Sequence, residues 1–153
     1  MTQITAAALE QTIRTYFDGC NEANIQKMTS CMEPEATHYF PAGAPQGTFR
    51  GAQGIASGWV RAVQTLGSIW TVDHVLVDIS RLEAVIEWTH FKTKQNIYLR
   101  GDEWYRFSPA GLITEIRAYY AAPARLPPQT HELGDYDYRG RGYPLVPPSI
   151  AGR

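Results

Sequence analysis

The chain has 153 residues, which is the usual size of one domain, and its 44% of apolar residues are enough to build one continuous core. A formal charge of −1 leaves no excess of basic side chains for a phosphate backbone or an anionic membrane surface, so neither nucleic acid nor a membrane is an expected partner. No apolar run approaches the roughly 18 residues of a membrane helix, and the first residues lack a signal-peptide pattern, so a cytoplasmic location is predicted.

The first half of the chain has mainly helical periodicity. Apolar residues recur every three or four positions across 5–19, which predicts a helix, and Asn24 is a typical N-cap for a second, short helix. Strand-forming residues at 36–40, stopped by a proline, predict a first strand. A third helix is predicted across 52–66, with Gly67 as its C-terminal stop.

After Gly67 the apolar period changes to two, and four further strands are predicted at 69–78, 83–92, 97–107 and 112–121. Helices followed by antiparallel strands indicate the α+β class. From Pro123 onward the chain is rich in proline, glycine, tyrosine and arginine and has no period. We therefore predict one domain at 1–122 and a C-terminal extension at 123–153. Its apolar and aromatic residues should pack on the domain, over the pocket mouth, or on a partner subunit.

Three strings of residues stand out for their order along the chain. They are Glu35-Ala36-Thr37 followed by Pro41-Ala42-Gly43, the glycine-led helix start Gly51 to Ile55, and the final hairpin from Trp104 to Tyr120. Together they cover about residues 9–121 and resemble the ketosteroid isomerase/SnoaL-like branch of the NTF2-like superfamily. The resemblance implies a cone-shaped, curved, mostly antiparallel sheet, with three helices from the N-terminal half enclosing one apolar pocket.

The same resemblance assigns family roles to positions of this chain and shows two departures. It implies that Tyr16 and Glu103 stand where the isomerases have their two oxyanion-hole donors. The position of the general base is Phe40, and a phenyl ring cannot accept a proton. The aspartate that limonene epoxide hydrolase and the SnoaL-type cyclases carry is replaced by Ala118. The pocket is therefore expected, but not the usual catalytic carboxylates.

Strand alternation predicts which side chains face the pocket, because successive side chains point to opposite sides of a sheet. An inward Glu103 places the following residues inside as well: Leu99, Gly101, Tyr105 and Phe107; Ile86, Trp88 and His90; His38 and Phe40; Ile116, Ala118 and Tyr120. A register shifted by one would make Asp102 the inward acid instead. Trp59 of the third helix should add another aromatic ring.

The candidate catalytic residues are the titratable groups of this pocket: His90, Glu103, Tyr16 and His38. The candidate substrate-binding residues are its aromatic side chains: Phe40, Trp59, Trp88, Tyr105 and Tyr120. Either histidine could accept a proton near neutral pH, and glutamic acid and tyrosine could donate hydrogen bonds. A buried histidine or aromatic ring is also a common core residue, and this interpretation stays open for each of them.

No metal-binding or nucleotide-binding motif occurs in the sequence, and Cys20 and Cys31 are predicted to be small buried hydrophobes, so a cofactor-free reaction is expected. We predict a cofactor-independent lyase or isomerase, acting by dehydration, isomerisation or cyclisation on a small apolar, oxygenated, polycyclic or terpenoid-like substrate. The alternative is a non-catalytic subunit that binds a small molecule or serves assembly, since one fold can host both.

The outer face of the sheet predicts self-association. Val85, Phe91, Trp104 and Tyr119 should all point outward among charged residues. An apolar strip of this size is rarely left exposed to water, so a homodimer is expected.

Overall fold

The computed structural model of the chain describes residues 4–41, 44–120 and 137–152. Within these residues, three helices pack against one face of a six-stranded sheet. The elements are α1 (Ala6–Asn21), α2 (Ile25–Thr29), β1 (Met32–Tyr39), β2 (Phe49–Arg50), α3 (Ala52–Leu66), β3 (Ser68–Asp78), β4 (Glu83–Lys92), β5 (Ile97–Phe107) and β6 (Ile113–Tyr119). The predicted α+β class is confirmed. No helix in the described ranges is long and apolar enough to cross a bilayer.

Local capping signals define where the helices begin and end. Asn24 caps α2 as predicted, because its side-chain oxygen accepts a hydrogen bond from the backbone N–H of Lys27 at 3.0 Å. Gly67 ends α3 in the left-handed conformation (φ 66°), and its N–H bonds to the carbonyl of Val63. A Cβ at Gly67 would also lie 2.2 Å from Oγ1 of Thr93, so only glycine fits there. This turn directs β3 back beneath α3.

The sheet has the order β2-β1-β6-β5-β4-β3, and every pair is antiparallel except β1 with β6. Strand β1 begins earlier than predicted and contains a register shift between Met32 and Thr37. Strand β2 was not predicted, because two residues are too few to show a period. It forms because its two residues pair in antiparallel fashion with Thr37 and His38 of β1.

The inner face of the sheet carries the side chains that alternation predicts. In β5, Leu99, Glu103, Tyr105 and Phe107 are buried, whereas Asp102 between them is exposed. Register aligns Glu103 with Ile86 of β4 and with Ala118 of β6, and it aligns Trp88 with Gly101. Glu103, and not Asp102, is thus the acid that points into the interior.

Residues 138–144 lie against part of the outer face, where they cover Arg100. This side chain is 6% exposed. One guanidinium nitrogen donates to the carbonyl of Pro144 at 2.9 Å, and the guanidinium carbon lies 4.4 Å from the ring centre of Tyr138 and 5.4 Å from that of Tyr143. We call these four residues the arginine clasp. The predicted boundary at 122/123 and any cover formed by 121–136 lie outside the described residues, so that division stays a prediction.

A second part of the outer face is open and forms a row across five strands, which we call the outer stripe. Cross-strand register aligns its members in the order Tyr39, Arg117, Trp104, Val85 and Leu76. Trp104 is 40% exposed and Leu76 is 73% exposed. Phe91 does not share this exposure, because its ring is buried and lies 5.7 Å from that of Tyr98.

Candidate functional site

Four polar side chains meet on the inner face, and we call them the inner cluster: Tyr16, His38, Glu103 and Tyr105. The hydroxyl of Tyr105 donates to Oε2 of Glu103 at 2.6 Å. The other carboxylate oxygen, Oε1, lies 3.4 Å from Nε2 of His38, which is ion-pair distance without hydrogen-bond geometry. His38 and Tyr105 are fully buried, and Glu103 is 5% exposed. A carboxylate, an imidazole and a phenol are thus enclosed together.

The sheet explains why these groups meet. Glu103 and Tyr105 are two residues apart on β5 and share a face, so the hydroxyl reaches the carboxylate. His38 arrives on β1, where it lies opposite Ile116 of β6. The residue of β6 opposite Glu103 is Ala118, and its single methyl group leaves the imidazole and the carboxylate free to approach each other.

Helices α1 and α3 supply the hydroxyl of Tyr16 and hold it in place. Nε1 of Trp59 donates to this hydroxyl at 2.5 Å. Cys20 lies one helical turn after Tyr16 and shares its helix face. Burial, and then the nearby Cys20 and Glu103, raise the pKa of Tyr16 well above its ordinary value. The phenol therefore stays protonated and can act as a hydrogen-bond donor.

Aromatic rings surround His38. The Phe40 ring is parallel to the imidazole at 4.2 Å, and the edges of Phe49 and Trp59 approach it with ring centres at 6.3 and 5.3 Å. Neither imidazole nitrogen has a hydrogen-bond partner within the described residues. A buried polar atom without a partner is unfavourable by about 1–3 kcal/mol, so a hydrogen bond to either nitrogen would be stabilising.

His90 lies elsewhere in the core. It faces Leu99 of β5, four residues from Glu103, a separation of about 13 Å along the strand. Its Nε2 lies 2.8 Å from Oγ of Ser68, and its ring stacks on Trp70 at 4.5 Å. Burial lowers the pKa of His90 to about 3, so the ring is neutral at physiological pH. The structure brings His38, and not His90, to Glu103.

The low pKa of His90 predicts a loss of stability in mild acid. Below a pH of about 6.5 the unfolded chain binds a proton at this residue that the folded protein does not bind until about pH 3. The free energy of unfolding should therefore fall by about 1.4 kcal/mol per pH unit from this group as the pH decreases. Urea denaturation at several pH values should show that His90→Gln removes this contribution. Exposed His74, changed to glutamine, is the control; equal pH slopes in all three proteins would contradict the prediction.

The five predicted substrate-binding residues divide into two groups. Phe40 and Trp59 contact the inner cluster, and Tyr105 belongs to it. Trp88 and Tyr120 form a separate pair, with ring centres 5.8 Å apart. An open depression of about 630 Å³ lies where β1 and β6 end, lined by Tyr39, Phe40, Pro41, Asp102, Arg117, Ala118, Tyr119 and Tyr120. Phe40 and Ala118 belong to the wall between this depression and the inner cluster.

Two residues of the site were not recognised in the sequence as part of it. Cys20 follows Tyr16 by four positions and so shares its helix face, which is a signal that could have identified it. Phe49 lies on the unpredicted strand β2, and no local pattern indicated it. In the part of the chain that the structure describes, no group of three or more His, Cys, Asp or Glu side chains is arranged to hold a metal ion.

Comparison with known proteins gives one sequence family and a set of similar folds. The family profile described as a SnoaL-like domain matches residues 13–116. The chain is 54% identical to a protein of unknown function with a cystatin-like fold from Methylobium petroleophilum PM1, with 97% of this chain and 98% of that chain covered and a TM-score of 0.77. No curated protein matches.

Two further solved structures are similar at lower identity. A putative polyketide cyclase from Sinorhizobium meliloti is 16% identical, with 71% of this chain and 94% of that chain covered and a TM-score of 0.60. The epoxide hydrolase/cyclase-like enzyme SalBIII, of pyran ring formation in the polyether salinomycin, is 14% identical, with 74% and 90% covered and a TM-score of 0.60. At these identities the likeness establishes the fold alone.

Proposed function

Because the chain belongs to the SnoaL-like domain family, we propose that it is a cofactor-independent lyase or isomerase that works by general acid/base catalysis. Its substrate is a small apolar, oxygenated molecule of polycyclic or terpenoid-like character. The observation that carries the proposal is the buried ring of His38, whose Nε2 faces Glu103 and whose Nδ1 has no partner among the described residues.

His38 is the proton acceptor in this proposal, and Glu103 orients it. With its proton on Nε2, toward Oε1 of Glu103, the imidazole has a lone pair on Nδ1. When Nδ1 takes a proton from the substrate, the ring becomes a cation beside the carboxylate, which stabilises it. The hydroxyl of Tyr105 holds the other carboxylate oxygen in place. The base thus lies two residues before Phe40, the position where the family resemblance implies it.

Tyr16 is the hydrogen-bond donor for the charge that forms on the substrate. Removal of a proton from the carbon beside a carbonyl moves an electron pair onto the carbonyl oxygen. The Tyr16 hydroxyl accepts a hydrogen bond from Trp59 and keeps its own proton to donate to that oxygen. Return of the proton from His38 to another carbon gives isomerisation. Its transfer to a departing hydroxyl group releases water and gives dehydration.

The shape and lining of the site support the substrate class. Three aromatic rings pack around the imidazole, and Phe40 and Ala118 lie between the inner cluster and the depression. Such a lining binds flat apolar molecules with a few polar groups. Two proteins of similar fold carry cyclase names, which supports the reaction class by analogy only.

Proton abstraction can be tested without the natural substrate. In D₂O, 2-tetralone exchanges the hydrogens beside its carbonyl, and mass spectrometry measures the rate. We expect the protein to accelerate this exchange above the rate in buffer containing an equal concentration of an unrelated protein. Saturable binding of 2-tetralone without acceleration would favour the alternative, a non-catalytic small-molecule-binding or assembly subunit, and would contradict the proposed enzyme.

We also propose that the protein is a homodimer that forms through the outer stripe. Its aromatic and aliphatic members leave an apolar surface across the sheet. Light scattering at micromolar concentration should give twice the mass of one chain. Trp104→Asp should shift it to a single chain, because a carboxylate at the centre of the interface would be desolvated. A monomeric wild-type protein would contradict the prediction.

A further inference from the structure

The indole of Trp88 is a buried donor without an acceptor. The side chain is 4% exposed, and its Nε1 has no hydrogen-bond partner in the described part of the chain. Buried indole N–H groups usually find a partner, and an unpaired one is unfavourable by about 1–3 kcal/mol. If Trp88 served packing alone, a phenylalanine would serve without this loss.

The strand beside Trp88 is shaped to receive its ring. Trp88 lies opposite Gly101 of β5, and a Cβ at Gly101 would lie 2.6 Å from Cζ2 of the indole. Gly101 does not have the positive φ that would require glycine, so glycine is needed here because a larger side chain would collide with the indole. Glycine in the middle of a strand weakens it. In return, the indole of Trp88 occupies the space that a side chain at position 101 would fill.

Trp88 also lies next to a residue that lines the open depression. Tyr120 has its ring centre 5.8 Å from that of Trp88 and lines the open depression. Its hydroxyl accepts a hydrogen bond from Nε2 of Gln46 at 3.0 Å, a contact between two side chains at the surface. Tyr120 thus contacts the indole and borders the depression at the same time.

We propose that Nε1 of Trp88 donates a hydrogen bond to an acceptor oxygen at one end of a ligand whose other end lies at the inner cluster. Gly101, beneath the indole, precedes Glu103 by two residues, or about 7 Å along β5. The ligand therefore carries two oxygen groups on a rigid frame of two or more fused rings, and the group at Trp88 is a neutral acceptor such as a carbonyl or an ether. The inference rests on the proposed function, because it places the reacting end at His38 and Glu103.

Two naphthols of the same frame test the proposal. The probe 2-naphthol has only the phenolic group, whereas 6-acetyl-2-naphthol adds a carbonyl at the opposite end. Fluorescence titration should show that wild-type protein binds the acetyl probe about tenfold more tightly, which corresponds to about 1.4 kcal/mol. Trp88→Phe should remove this gain and leave the affinity for 2-naphthol within about twofold. The control is Trp104→Phe, on the outer stripe, which should keep the gain.

Each other outcome overturns a defined part of the argument. An acetyl gain that persists in Trp88→Phe, or an equal loss of both probes, shows that Trp88 only packs. Binding of 2-naphthol without any acetyl gain in the wild type overturns the Trp88 inference alone. Failure of both probes to bind overturns the proposed site together with it.

If Trp88→Phe does not fold, NMR of the ¹⁵N-tryptophan-labelled wild type replaces the titration. The indole N–H resonance of Trp88 is assigned by replacing each of the other three tryptophans with phenylalanine. It should shift downfield with the acetyl probe and not with 2-naphthol, and no shift overturns the inference.

Discussion

Glutamine in place of Glu103 is expected to lower the rate of protein-catalysed hydrogen exchange of 2-tetralone by about 10²–10⁴-fold, while the protein stays folded. The amide oxygen can still accept the hydrogen bond of Tyr105, so the packing around the side chain is kept. A neutral amide cannot stabilise the imidazolium that forms when His38 takes a proton. The exchange rate is measured by mass spectrometry in D₂O, and thermal denaturation reports whether the fold is retained.

Glu83→Gln is the matched control, because it makes the same chemical change on a strand of the same sheet. Glu83 pairs with exposed Arg106 at 3.4 Å, away from the inner cluster, so its loss should leave the exchange rate unchanged. If His38 and Glu103 act as one unit, His38→Gln should slow exchange as strongly as Glu103→Gln, and the double variant should lose little more. An exchange rate for Glu103→Gln within threefold of wild type would remove this carboxylate from the mechanism.

Replacement of Arg100 by methionine is expected to have the largest effect on stability, a loss of about 2–4 kcal/mol in the free energy of unfolding. Methionine retains most of the buried apolar stem. It loses the hydrogen bonds to Thr89 and Pro144 and the contacts of the cation with the rings of Tyr138 and Tyr143. It also leaves the half-buried carboxylate of Asp73, whose pKa is raised by burial, without its nearby cation.

The same substitution should release residues 137–152 from the sheet. Trypsin should then cut after Arg139 or Arg141 faster than in the wild type, because both lie in the segment that the arginine clasp holds. Arg106→Met is the control. Arg106 is an exposed arginine of the same strand, and its single exposed ion pair is worth about 0–1 kcal/mol. Unchanged urea midpoints and cleavage rates in Arg100→Met would show that the clasp contributes nothing to the attachment of this segment.

The sequence by itself determined the elements whose signals are local. The caps at Asn24 and Gly67, and the period of two in β3 to β6, required only neighbouring residues to be recognised. Alternation anchored at Glu103 predicted the buried side chains Leu99, Tyr105 and Phe107 of β5 and Ile86 and Trp88 of β4, but it did not predict that Phe91 is buried as well. The ordered strings around β1, α3 and the last hairpin also predicted the SnoaL-like branch, and the family match confirms it.

Only the tertiary structure decided which inward residues meet. Alternation placed both His38 and His90 on the inner face, because it assigns a face and not a position across the sheet. The parallel pairing of β1 with β6, after the register shift before Thr37, brings His38 to Glu103, whereas the pairing of β4 with β5 leaves His90 four residues away, against Ser68. Arg100 likewise points outward, yet it is buried by residues more than thirty positions later in the chain. The register between strands and the packing of a distant segment on the sheet depend on the free energy of the whole packed core. The periodicity of neighbouring residues therefore cannot predict them.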